Sequence, residues 1–347
     1  MFRTSLTAMR LNGTMRLAQR PISYTACRIH EFGGPDVMKI EKCELPDLKY
    51  GQVVVDIKSA GINPAETYIR SGIYHLLPEL PYTPGKDGSG VVAHVGDGVE
   101  GLSAGDRVYV EDSITGTYAD KAVCEAKHVH ALPENLSFQQ GSALGIPYGT
   151  AYRALKLRAH LSSGERLLIN GASGGVGLAA VQLAVGYGAT VVGIAGSSKG
   201  CEAVLKQGAA ACFLRDDTDL TTKIRDVMPD GADVILEMRA NKHLSTDIDL
   251  VARHGRIVVV GNQATSEHSI NPRALMVNES SVIGCNYWIS SEKDLQATNE
   301  AIGLALRNGT AKPTVGEVYS LENVQKAHEA IVSPTRTASG KMVLTME

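Results

Sequence analysis

Between about Tyr24 and Pro147 the apolar residues fall in short runs cut by glycine: "GQVVVDIKSAG" (51–61), "GVVAHVG" (90–96), "GDRVYVED" (105–112) and "HVHALPE" (128–134). Turn residues at this spacing, with no long helical period between them, predict the strands of a compact, partly open β-barrel. After "GIPYGTAYRAL" (145–155) the period changes. Strand-like runs at 166–172, 190–196, 233–238, 256–262 and 281–288 alternate with helix-like runs at 177–188 and 199–209. Strand, helix, strand in that order predicts parallel pairing through crossover helices, hence a doubly wound α/β sheet. Helices over 292–308 and 320–331 and a last strand over 341–346 follow. The expected organisation is an extension over residues 1–25, a β-rich catalytic domain from 26–147 and 290–347, and a nucleotide domain over 148–289.

Composition narrows this picture. At 347 residues, 44% hydrophobic and 20% charged, the chain is large enough for two cored domains. A net charge of −3 gives no general attraction to nucleic acid or anionic membrane. No apolar run reaches the length of a membrane span, so no membrane insertion is expected. The six cysteines are scattered without a C-x-x-C pair, which suits reduced thiols rather than a disulfide framework. The first 30 residues stand apart. Arg3, Arg10, Arg16, Arg20 and Arg28 precede the first acid, Glu31, and Phe2, Leu6 and Met9 share one helical face. That composition suits a mitochondrial transit peptide. A disordered extension on a cytoplasmic protein is the alternative.

Candidate chemistry begins at "NGASGGVG" (170–177), set between an apolar strand and an apolar helix. Ala172, Gly174 and Gly177 take the three small-residue positions of a dinucleotide fingerprint. They allow the tight turn, the approach of the backbone to a pyrophosphate, and close helix–sheet packing. Free N–H groups at the helix start then face the negative charge. In many such folds the next strand ends in a carboxylate that binds the ribose hydroxyls of NAD. Here it ends in Gly196, Ser197, Ser198 and Lys199. Room, hydroxyls and a cation suit a 2′-phosphate, with Arg215 as a second cation, and the expected cofactor is NADPH.

A β-rich domain followed by this Rossmann pattern resembles the medium-chain dehydrogenase/reductase superfamily, whose alcohol dehydrogenases hold a catalytic zinc. The stretches matching the zinc ligands are "AGINPAE" (60–66) and "PGKDGSG" (84–90), where Asn63 replaces the cysteine and Lys86 the histidine. Neither is a zinc donor, so no metal site is expected. Within the superfamily "FGGPDVMKI", "GINPAETYIRSG", "LPYTPGKDGSGVV", "GIPYGTAYRAL", "GASGGVGLAAVQLA", "ILEMRAN" and "ESSVIG" resemble the zeta-crystallin group of NADPH:quinone oxidoreductases, from about Ala26 to the C-terminus.

The resemblance implies a GroES-like, partly open β-barrel domain beside a Rossmann domain, and a homodimer or homotetramer. Asn63 and Tyr68, with Tyr74 helping, would line the nicotinamide end of the cleft. Thr150 would touch the cofactor. Ser173, Gly174, Gly175 and Val176 would hold the pyrophosphate, and Gly196, Ser197, Lys199 and Arg215 would face the 2′-phosphate. Val260, Gly261, Asn262, Gln263, Cys285, Asn286 and Tyr287 would meet the nicotinamide ribose and ring through main-chain groups. The chain departs from the group at Arg215, at Arg239, and at Asn286, Tyr287 and Trp288, where bulk at the mouth changes which acceptor fits.

A quinone is a ready, flat, apolar acceptor that needs no metal to activate it, and Asn63 and Tyr68 carry donors for a developing oxyanion. Reduction of 2-enals or enoyl thioesters is the alternative. Binding of AU-rich mRNA, also associated with zeta-crystallin-like proteins, is kept as a side activity, although no arginine-rich stripe with interleaved aromatics is present.

Overall fold

The computed structural model describes residues 22–262, 267–333, 337 and 339–346. Of the extension expected over residues 1–25, those up to Pro21 lie outside them, as does Gln263, while Ser23, Tyr24 and Thr25 belong to the first strand and so to the folded domain.

In chain order the strands are β1 (Ser23–Ile29), β2 (Met38–Glu44), β3 (Gln52–Gly61), β4 (Gly88–Val95), β5 (Arg107–Val110), β6 (Lys121–Glu125), β7 (Val129–Ala131), β8 (Arg166–Asn170), β9 (Thr190–Ala195), β10 (Ala211–Leu214), β11 (Ala232–Glu237), β12 (Val251–Val259), β13 (Ser281–Gly284), β14 (Val315–Ser320) and β15 (Lys341–Thr345). The α-helices are α1 (Pro64–Arg70), α2 (Phe138–Gly141), α3 (Gly145–Tyr152), α4 (Gly175–Gly186), α5 (Ser198–Lys206), α6 (Leu220–Val227), α7 (Ala240–Leu250), α8 (Pro272–Asn278), α9 (Glu292–Arg307) and α10 (Val324–Val332).

The first sheet runs β14-β15-β3-β4-β5-β7, with β6 also on β3, and β1 and β2 form a separate hairpin. It is an open sheet and not a closed barrel. β3 is its spine. Val53, Val55 and Ile57 are fully buried in one core with Val108, Val110 and Leu344. The chain returns to this sheet at its end, where β15 pairs antiparallel with β3 at Val343↔Gly61.

The second sheet, β10-β9-β8-β11-β12-β13, is parallel throughout. Its central strands read as continuous apolar runs because helices cover both faces. Helix α4, "GVGLAAVQLAVG", is apolar nearly all round and is correspondingly buried. Helix α9 adds Ile302 and Ala305 to the core that holds Leu178 and Ala179 of α4. The chain thus joins the first sheet again at Val315, after α9 has packed with the second.

Candidate active site

Two contacts set the site between the sheets. Gly340 N donates to Ser173 O at 2.8 Å, so the turn before β15 lies on the glycine-rich loop. That places Lys341 against the loop, where a Cβ on Gly175 would sit 3.4 Å from Lys341 Cδ. The loop itself needs its glycines. A Cβ on Gly177 would lie 2.4 Å from Gly171 O. Gly174, the N-cap of α4, carries no side-chain cap, so the N–H groups of the first turn are left for an anion.

Below the loop lies a cleft of about 670 Å³. It gathers Asn63, Tyr68 and Tyr74 from the first sheet's side, Thr150 from α3, Val176 from the loop, and Val260, Gly261, Asn262, Cys285, Asn286 and Tyr287 from the ends of the parallel strands. Ligands in open α/β sheets sit at these carboxyl ends. Tyr68 and Tyr74 are half-buried, and neither hydroxyl bonds to another described residue. Burial raises both of their pKa values, against a lowering by Arg239 at Tyr68, so both hold their protons at neutral pH.

Asn63 differs from the expectation. Its Nδ2 donates to Asp87 Oδ1 at 2.8 Å and to Glu66 Oε1 at 3.2 Å, and its Oδ1 accepts from Lys341 Nζ. An amide has two N–H bonds, and both are taken. Asn63 is therefore no oxyanion donor; it is a fixed wall. Of the two donors expected for the oxyanion, the Tyr68 hydroxyl remains, with the Tyr74 hydroxyl also unbonded to a described residue.

Sequence reasoning missed the network that holds Asn63. Lys341 Nζ lies 3.1 Å from Asp87 Oδ2, and both residues are almost fully buried. Glu66, one helical turn into α1, accepts from Asn63 N at 2.9 Å, Lys86 N at 3.2 Å and Tyr118 Oη at 2.5 Å. Burial and the Asp87 charge raise its pKa, while Lys341, Tyr118 and Asn63 oppose them. With every acceptor position filled by a donor, we take Glu66 as ionised. Behind Tyr118 stands His328, then Arg70, whose Nε donates to His328 Nδ1 at 3.3 Å. Burial, aided by Arg70, lowers the His328 pKa to about 3, so this imidazole is neutral. The chain Arg70–His328–Tyr118–Glu66 locks α1, and with it Tyr68, in place. The signals in sequence were faint: "NPAE", "KDG" and a lysine opening the last strand.

At the other end of the loop a smaller hollow of about 50 Å³ is lined by Gly196, Arg215, Arg239 and His243. A Cβ on Gly196 would sit 3.5 Å from Arg215 Nη1, so the guanidinium lies over the end of β9. Lys199 is exposed and makes no ion pair with a described residue. Ser197 is committed to the protein: its Oγ accepts from Gly200 N at 3.1 Å and donates to Thr337 O at 3.0 Å.

The hollow rests on a buried acid pair. Asn170 Nδ2 donates to Glu237 and, at 2.7 Å, to Asp247 Oδ1, while Asp247 Oδ2 has no partner. Burial and then the Glu237 charge raise the Asp247 pKa to about 9. Folding thus retains a proton that the unfolded chain releases near 3.8, so stability falls as pH rises from about 3.8 to about 9. Asp247→Asn is expected to flatten that slope and raise the urea midpoint at pH 8 more than at pH 5. An unchanged slope would contradict the proton retained on Asp247.

The cleft's two walls identify the class. The chain matches "Alcohol dehydrogenase GroES-like domain" over residues 49–154 and "Zinc-binding dehydrogenase" over residues 175–302. A GroES-like domain and a parallel dinucleotide-type sheet facing one cleft make it a medium-chain dehydrogenase/reductase. It belongs to the quinone oxidoreductase family: it is 44% identical over 323 residues to the human quinone oxidoreductase, covering 92% of this chain and 97% of that protein. Among solved structures, a quinone oxidoreductase of Escherichia coli complexed with NADPH is 28% identical with a TM-score of 0.80, covering 92% of this chain and 99% of that one. An NAD-dependent alcohol dehydrogenase is 26% identical with a TM-score of 0.84, covering 93% and 100%. One fold thus occurs with either coenzyme.

The zinc in the second family description finds no fitting donors here. An amide and an ammonium, at Asn63 and Lys86, are not tetrahedral zinc ligands. Lys86 Nζ instead lies 2.7 Å from Asp112 Oδ1.

Proposed function

We propose that this chain is an NADPH-dependent quinone reductase that works without zinc. The carrying observation is a large, partly apolar cleft with the Tyr68 hydroxyl free, continuous with a glycine loop at whose far end Arg215 and Lys199 stand by the end of β9, a strand that closes without a carboxylate. The residues fit the coenzyme: uncapped N–H groups of α4 for the pyrophosphate, and cations by Gly196 for the 2′-phosphate. When bound, the coenzyme supplies the reducing equivalents. Tyr68 donates to the acceptor oxygen, Asn63 fixes the floor beneath it, and Tyr74 and Trp288 shield it from water.

Oxidation of NADPH with 9,10-phenanthrenequinone, a 2-enal and an enoyl-CoA as alternative acceptors tests this. The quinone should turn over fastest, in metal-free buffer with chelator. A faster 2-enal or enoyl-CoA would replace the reading.

Of the homodimer and homotetramer that the family resemblance implies, we propose the homodimer, joined through β13. Among the described residues this strand pairs on one side only, with β12, and Val282 on it, with Met276 and Val277 nearby, is exposed. An unpaired, apolar edge is a template for a second copy. Val282→Lys should convert the species seen by light scattering from dimer to monomer. A wild-type monomer would end the idea.

The arginine-rich, acid-free stretch before Glu31 supports import into the mitochondrion with removal of the leader. Sequencing the native N-terminus tests it, and an intact Met1 on organelle-free protein would refute it.

A further inference from the structure

Glu111 follows β5 and has no role in the reading above. It is 2% exposed, yet four side chains from elsewhere in the chain converge on it. Tyr287 Oη donates to Oε2 at 2.5 Å, and Asn299 Nδ2 of α9 donates to Oε1 at 3.1 Å. His128 Nδ1 and His130 Nε2 lie 3.0 and 3.3 Å from Oε1. Burial by itself would raise the Glu111 pKa. The two histidines and Tyr287 outweigh it and hold the carboxyl below the ordinary carboxylate range. A buried anion so surrounded has one position.

Tyr287 carries that constraint into the cleft. Its ring lies on α3 where Gly149 makes room, since a Cβ there would meet Tyr287 Cζ at 2.4 Å. With α3 against one side of the ring, the cleft that Tyr287 lines is the open space beside it. The next residue, Trp288, meets Tyr74 edge-on with ring centroids 5.5 Å apart. One short segment therefore carries two aromatic walls of the acceptor end.

We propose that Glu111 is a positioning residue that pins the Tyr287 ring against α3 and so keeps the cleft wide enough for fused-ring quinones. The substrate class rests on the quinone-reductase reading above. A planar three-ring quinone needs more of this width than a single-ring quinone does.

Tyr287→Phe removes one hydroxyl and keeps the ring. Its kcat/KM should fall about tenfold with 9,10-phenanthrenequinone and stay within about twofold with 1,4-benzoquinone. Glu111→Ala should do the same, and should change this ratio no further in the Tyr287→Phe background. Trp288 is the sole tryptophan of the chain, so its emission reports on the segment without any turnover. Both variants should shift its emission maximum. Equal losses with the two quinones, or unchanged emission in Tyr287→Phe, would overturn the proposal. A wild-type protein that reduced no quinone would instead sink the reductase reading, and the emission would still decide whether Glu111 positions the ring.

Discussion

Replacing Lys199 and Arg215 together by alanine is expected to weaken NADPH binding about a hundredfold while leaving NADH within about twofold. A hydrogen bond to a charged group contributes about 1.5–3 kcal/mol, or about one to two decades in affinity. Both side chains stand at the surface, where solvent screens them, so about one decade each is the appropriate end of that range. Arg215 must also leave Asp216, 3.2 Å away, but an exposed pair between neighbours in sequence costs little to part. Arg215→Ala should cost at least as much as Lys199→Ala, because its guanidinium already lies over Gly196 and presents several donors in a rigid fork. Fluorescence titration with the two coenzymes gives both constants. If the double variant still preferred NADPH by the wild-type ratio, recognition would have to lie elsewhere in the hollow, at Arg239 or His243.

The second large effect is on stability. Lys341→Met should cost about 3–5 kcal/mol, the usual loss when one partner of a buried ion pair is removed. Asp87 would keep its charge with no cation beside it, a few ångströms from the Glu66 carboxylate. Asn63 would lose the donor to its Oδ1, while the methionine stem keeps the packing on Gly175. Adding Asp87→Asn to Lys341→Met should recover much of the loss, since the stranded charge goes with it. Urea unfolding of the two variants and the double variant measures this. Equal midpoints for Lys341→Met and the wild type would mean that Asp87 is solvated, contrary to its burial.

Much of the architecture could be read along the chain. The change from short glycine-cut runs to alternating strand and helix marked the two sheets, because burial on both faces demands continuous apolar strands while crossover helices demand their own period. The glycine loop was legible for a local reason. The tight turn, the close helix and the free N–H groups all depend on residues within eight positions, 170–177.

The residues that surround the acceptor were less legible. Asn63 looked like a donor because Asp87, which takes one of its hydrogens, is 24 residues away, and Lys341, which holds its Oδ1, is 278 away; only folding shows both N–H groups to be spent, the other on Glu66. Glu111 and Tyr287 are 176 residues apart, and neither stands out in its own strand.

By itself, then, the sequence determined the class of fold, the dinucleotide loop, the lack of a carboxylate at the end of β9, and the lack of zinc donors at positions 63 and 86. These are properties of residue type at short spacing, and short-range sterics and donor chemistry enforce them. The tertiary structure alone decided which polar groups are free and which are already bonded, and so which side chains face an acceptor. A buried carboxylate, amide or ammonium acts according to the partners that folding brings within hydrogen-bond distance, and those partners can lie anywhere in the chain.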